Sequence, residues 1–131
     1  MTFVDTGAWA ALFAPQDGLH ERAVAWTQAA QDLLVTTDYV ADEVLTLLKS
    51  RCGVHLALDA GEALWSETLA SLVYLTTDDI AQAWRIFQRY TDKGWSFTDC
   101  TSYAVIRRLG IRQAFSFDRH FDQMPGIRRV P

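Results

Sequence analysis

Short apolar runs alternate along this chain with longer stretches in which apolar residues recur every three or four positions. Thr2-Phe3-Val4 reads as a first strand, followed by a helix over about Gly7 to Ala14 and a second over about Leu19 to Ala30. Leu33-Leu34-Val35-Thr36 reads as a second strand. A third helix starts near Thr37 or Asp38, either of which can cap it. Val40, Val44, Leu47 and Leu48 form the stripe of a half-buried helix there. The pattern stays helical from about His55 to Ala70, and Leu72 to Leu75 is the third strand. Thr76-Thr77-Asp78-Asp79 caps a helix carrying Ile80, Ala83, Trp84 and Phe87. A loop at Lys93 to Ser96 leads to a helix starting at Thr98-Asp99 and ending at Gly110. Gln113 to Phe117 reads as the fourth strand and Ile127 to Val130 as a short fifth. Strands alternating with helices over short connections predict an α/β fold, a mainly parallel sheet covered on both faces.

Composition narrows the class. A chain of 131 residues, half of them hydrophobic, suits one domain spanning 1–131 with its own core. No apolar run approaches the roughly 18–20 residues needed to span a bilayer, so no membrane role is expected. Met1-Thr2-Phe3-Val4-Asp5 lacks the basic and apolar regions of a signal peptide. Cys52 and Cys100 form no Cys-x-x-Cys or Cys/His cluster, and read most simply as reduced thiols of a cytoplasmic protein. The net charge of −4 argues against a nucleic-acid partner. Its distribution argues the other way: residues 1–83 carry three basic groups against twelve acids, residues 84–131 nine against four. Arg85, Arg89, Lys93, Arg107, Arg108, Arg112, Arg119, Arg128 and Arg129 form either a basic rim or ordinary solvated helix faces.

The acids carry the chemistry. In a parallel sheet, sites gather at the carboxyl ends of strands. Asp5 follows the first strand and Asp118 the fourth, so both point into one region. Either alone is commonly a helix cap; together they favour a site. At 100° per residue Glu43 lies about 60° from Val40 and about 40° from Leu47, at the border of the buried stripe. A carboxylate there is costly unless paired. Asp42 points farther out. Asp99, at a helix start, is in isolation an acid favoured by the helix dipole. If the four meet, like charges in a dry pocket require a counter-charge. Only Arg119 adjoins any of them, beside Asp118. Oxygen ligands select a hard divalent ion, Mg²⁺ or Mn²⁺. Such an ion activates water and neutralises phosphate charge, which predicts phosphodiester hydrolysis.

With these residues assembled, the sequence resembles the PIN-domain ribonucleases, specifically the VapC-type toxins of bacterial toxin–antitoxin pairs. The resemblance spans the chain. It rests on Val4-Asp5-Thr6-Gly7-Ala8-Trp9, Asp42-Glu43-Val44-Leu45-Thr46-Leu47-Leu48, Ser96-Phe97-Thr98-Asp99-Cys100 and Phe115-Ser116-Phe117-Asp118-Arg119-His120-Phe121. It implies an α/β/α sandwich around a five-stranded parallel sheet, Mg²⁺/Mn²⁺-dependent cleavage of RNA, a cognate antitoxin and a homodimer. It places the family's acids on Asp5, Glu43, Asp99 and Asp118. Thr6 or Thr98 would supply a supporting hydroxyl, with Asp122 a possible further acid and Arg119 a substrate contact. Cys100 stands where the family often has a smaller residue.

Other functions fit less well. A phospho-receiver domain needs an acid pair after the first strand and a phosphoacceptor Asp after a central one; Asp5 is single and Leu75 is followed by Thr76. A haloacid-dehalogenase-type phosphatase needs Asp-x-Asp, and Gly7 holds the second place. A catalytically inactive binding module on the same scaffold is the third. His20 and His55 read as structural or surface residues. His120 lies near Asp118 and could touch a substrate phosphate. Trp95, otherwise a core residue, is placed to stack on a base. Asp78-Asp79 is a helix start rather than a metal pair.

Overall fold

The computed structural model describes residues 1–131. Five strands form one sheet: β1 (Thr2–Val4), β2 (Leu34–Thr37), β3 (Ser71–Val73), β4 (Gln113–Phe115) and β5 (Arg128–Val130). Their order is β3-β2-β1-β4-β5 and every pairing is parallel. Six helices connect them: α1 (Thr6–Phe13), α2 (His20–Ala29), α3 (Asp38–Cys52), α4 (Val54–Trp65), α5 (Thr77–Arg89) and α6 (Phe97–Leu109). A 3₁₀ turn covers Arg119–Gln123. The predicted α/β class and five-stranded parallel sheet are therefore found.

β1 lies at the centre of the sheet, and its three residues are all buried. That is why its sequence is a short apolar run without alternation. The core includes Phe3, Val4, Trp9, Val40, Val44, Leu48, Ile106, Phe115 and Phe121. Trp9 buries its ring against Phe13. Its Nε1 donates to Thr36 Oγ1, which donates to the Val4 carbonyl, so α1 is pinned to β1 and β2 by satisfied buried polar groups.

Several boundaries move: β3, expected at Leu72 to Leu75, is found at Ser71–Val73, and two other shifts have a visible cause. The helix read as ending at Ala70 stops at Trp65; Glu67 adopts φ 57°, and its carboxylate accepts from the Leu72 N–H at the start of β3. The fourth strand stops at Phe115, not Phe117, because the Ser116 hydroxyl accepts the Asp118 N–H and turns the chain. Asp118 thus stands three residues beyond β4, capping the 3₁₀ turn through a bond from the His120 N–H. Thr37 is the cap of α3, accepting from Val40 N–H. Thr76 and Asp79 form a capping box at α5, as expected of a helix start.

Candidate active site

Each acid is placed by a separate local device. Asp5 leaves β1 in extended backbone, and its N–H donates to the Phe115 carbonyl of neighbouring β4. Its carboxylate accepts from the Ser116 hydroxyl at 3.0 Å. Ser116 Oγ also accepts the Asp118 N–H at 3.0 Å, so one buried hydroxyl ties the ends of β1 and β4 together. Asp99 is fixed by a capping box at α6: Ser96 Oγ accepts the Asp99 N–H, and Asp99 Oδ2 accepts the Ser96 N–H. The 3₁₀ turn after Asp118 brings the His120 ring back onto both acids. His120 Nδ1 lies 3.0 Å from Asp99 Oδ2 and 3.3 Å from Asp118 Oδ2.

Hydrogen bonds and His120 relieve these acids only in part. Asp5 is 6 % exposed and Asp99 8 %. Burial pushes the Asp5 carboxyl up to about 7; the Thr6 N–H and the Ser116 hydroxyl pull the other way, and the charges of Asp99 and Asp118 push it further up. Burial likewise raises Asp99, against the bonds from Ser96 and His120. No lysine or arginine pairs with Asp5, Asp99 or Asp118. Thr6 Oγ1, buried beside Asp5, has no hydrogen-bond partner. Oxygen-rich, short of cations and holding an unused buried hydroxyl, this donor set fits a hard divalent ion. Asp99, Asp118 and His120 together offer ligand atoms within 4.8 Å of one another.

The other expected residues are distributed around this centre. Glu43 is half-buried on α3, where it lines the adjoining groove with Asp42, Thr46, Leu47, Ser50 and Thr98. It is not among the ligand atoms gathered at Asp99, Asp118 and His120. Thr98 itself is half-buried, and its carbonyl accepts from the Thr101 hydroxyl. Arg119 is exposed and enters no ion pair. Asp122 is held by Arg129 Nε at 2.9 Å.

The basic third does not form one rim. Arg108 is committed to Asp79, Arg129 to Asp122 and the Ser116 carbonyl, and Arg128 to Gln113. Arg89 and Arg107 lie over Tyr90 and Tyr103. Trp95 cannot stack on a base: it is 5 % exposed, packed against Tyr90 and Tyr103, and its Nε1 donates to Gln123. Sequence reasoning missed Ser116 altogether. It also missed Arg22, whose guanidinium lies 5.4 Å from the Phe117 ring, next to Asp118. The Ser-x-Asp spacing at Ser116 was the available signal, since a hydroxyl two residues before an Asp can make such a turn. Nothing local could have found Arg22.

Residues 2–127 match the PIN domain family model. The 23S rRNA-specific endonuclease VapC20 of Mycobacterium tuberculosis is 38 % identical over 121 residues, covering 92 % of each chain. A VapC ribonuclease of Archaeoglobus fulgidus is 29 % identical over 132 residues, covering 96 % of this chain and 81 % of that one. The crystal structure of Mycobacterium tuberculosis VapC20, described as a sarcin–ricin loop cleaving toxin, superimposes with a TM-score of 0.92 at 34 % identity over 97 % of both chains. FitAcB from Neisseria gonorrhoeae shares the fold, with a TM-score of 0.72 at 15 % identity over all of this chain and 97 % of that one. No helix is long and apolar enough to cross a membrane. A carboxylate cluster beyond the carboxyl ends of β1 and β4, in a chain matched along nearly its whole length, leads to one conclusion: the protein belongs to the PIN-domain nuclease family and resembles the VapC-type toxins within it.

Proposed function

We propose that this protein is a Mg²⁺- or Mn²⁺-dependent endoribonuclease, the toxin of a toxin–antitoxin pair, with ribosomal RNA as its substrate. The observation that carries this is the gathering of Asp99, Asp118 and His120 ligand atoms within 4.8 Å of one another, beside the buried Asp5, with no lysine or arginine paired to these acids. A divalent cation would offset the charge of such a centre. The choice of RNA class is supported by the likeness to VapC20, named for 23S rRNA, at 38 % identity. Pairing with an antitoxin and homodimer formation rest on the family resemblance.

Asp5, Asp99 and Asp118 would hold the ion, which supplies an activated water and neutralises charge on the scissile phosphate. Ser116 keeps the Asp5 carboxylate aimed by donating to Oδ2. The Ser96–Asp99 capping box fixes Asp99 on a rigid helix start. Glu43, half-buried on α3 in the adjoining groove, would serve as the base that takes a proton from water. Arg119, exposed beside Asp118, and Arg22, over Phe117, are free to meet the RNA backbone. The sheet order β3-β2-β1-β4-β5 also differs from the 2-1-3-4-5 order of receiver domains.

The test is cleavage of a 23S rRNA fragment containing the sarcin–ricin loop. Wild type with Mg²⁺ is expected to cut it, and EDTA to stop the reaction. Asp5→Asn and Asp99→Asn are each expected to lose at least about a hundredfold in rate. Cleavage that survives chelation, or that both variants retain, contradicts the reading. Mg²⁺-dependent RNA binding without cleavage indicates an inactive module instead.

A further inference from the structure

The resemblance assigns roles to the acids but none to the imidazole that lies among them. His120 Nδ1 is 3.0 Å from Asp99 Oδ2 and 3.3 Å from Asp118 Oδ2. In the ion-free chain the shorter contact is a hydrogen bond to Asp99; adjacent ligands on an octahedral ion with bonds of about 2.1–2.2 Å also stand roughly 3 Å apart, so both spacings suit two edges of one coordination shell once Nδ1 gives up its hydrogen to Nε2 or to solvent. The ring is held there by construction. Asp118 caps the 3₁₀ turn with Oδ1, which accepts the His120 N–H at 2.9 Å and leaves Oδ2 facing the ring. On the far side the ring packs over Gly94: a Cβ at that position would lie 3.3 Å from His120 Nε2. The other two histidines lie elsewhere in the fold, His20 bonded to the Ala11 carbonyl and His55 exposed on α4.

We propose that His120 is a nitrogen ligand of the divalent ion shared by Asp99 and Asp118, and that it biases the site toward Mn²⁺ over Mg²⁺. The inference rests on the metal-dependent reading above and deepens it. Imidazole binds first-row transition ions well and Mg²⁺ poorly, whereas carboxylates serve both. Three carboxylates alone would leave the site a general hard-ion pocket; one nitrogen donor turns the choice.

The experiment uses Mn²⁺ as its own probe. Binding is followed by loss of the free Mn²⁺ electron paramagnetic resonance signal, and coordination by pulsed resonance on the bound ion. Wild type is expected to show ¹⁴N coupling to directly ligated nitrogen, replaced by a ¹⁵N pattern when the protein is made with ¹⁵N-histidine. This readout needs no substitution, so it does not depend on a variant folding. His120→Asn is expected to weaken Mn²⁺ binding about tenfold or more and to leave Mg²⁺ affinity, read by competition, within about threefold. Bound Mn²⁺ without histidine coupling, at unchanged affinity in His120→Asn, overturns the nitrogen ligand while the carboxylate centre stands. No Mn²⁺ binding by wild type overturns the metal centre itself, and the nitrogen ligand with it.

Discussion

In the proposed site Asp5 is the most deeply buried acid, and its burial has a cost. Its carboxyl titrates at about 7 in the folded chain, against 3.8 for an unburied group. A group raised on folding contributes stability that is fully present below the unfolded value and is lost as pH rises through the folded one. The metal-free protein is therefore expected to lose stability between about pH 4 and pH 7, by roughly 2–4 kcal/mol from this residue. Asp99, raised in the same direction, adds to the trend. Chemical denaturation at pH 5 and pH 7.5 with chelator present checks this. Asp5→Asn is expected to flatten the difference, and an equally steep profile in that variant would assign the effect elsewhere. Of the site residues, Asp5, Asp99 and Asp118 were legible because their positions relative to strand and helix ends can be read from pattern. Ser116 and the contacts of His120 were not, since both depend on a turn that folds back after β4 stops early. Ser116→Ala removes the hydroxyl that aims Asp5. It is expected to weaken divalent-ion binding about 10- to 100-fold while the chain stays folded, as calorimetric titration can show.

At the scale of elements, α5 and α6 are joined by one ion pair between buried Asp79 and exposed Arg108. Asp79 Oδ1 and Oδ2 accept from Arg108 Nε and Nη2 at 2.7 and 2.9 Å. Burial works to raise the Asp79 carboxyl, but Arg108 and the Thr76 bonds together hold it below the ordinary carboxylate range. Arg108 is partly open to solvent, which screens the pair. Arg108→Ala is therefore expected to cost about 1–3 kcal/mol, chiefly by leaving Asp79 buried and alone, and Asp79→Asn less. Urea unfolding of the two variants tests this order. The partnership joins residues 29 apart, and neither pattern nor propensity announces it. Strand and helix identities were legible throughout, because apolar runs and three-to-four spacings report burial directly. The ends of α4 and β4 were not: each is set by a side chain that captures a backbone N–H, Glu67 at Leu72 and Ser116 at Asp118. Trp95 failed for the opposite reason. Its loop position suggested exposure, yet Tyr90 and Tyr103 enclose it.

The whole molecule brings together what the sequence keeps apart. A central β1 with parallel neighbours puts residues 5 and 118 at one edge of the sheet, and α6 delivers residue 99 beside them. The cluster raises the free energy of the empty fold, so an ion that binds the native state alone must stabilise it, by about 2.7 kcal/mol at a hundred times its dissociation constant. The most direct measurement is a crystal structure in Mn²⁺ with an anomalous difference map. A peak about 2.0–2.3 Å from carboxylate oxygens of Asp99 and Asp118, with Asp5 in the same shell or one water removed, is the predicted result. A map with no peak at these oxygens, at saturating Mn²⁺ and neutral pH, contradicts the account.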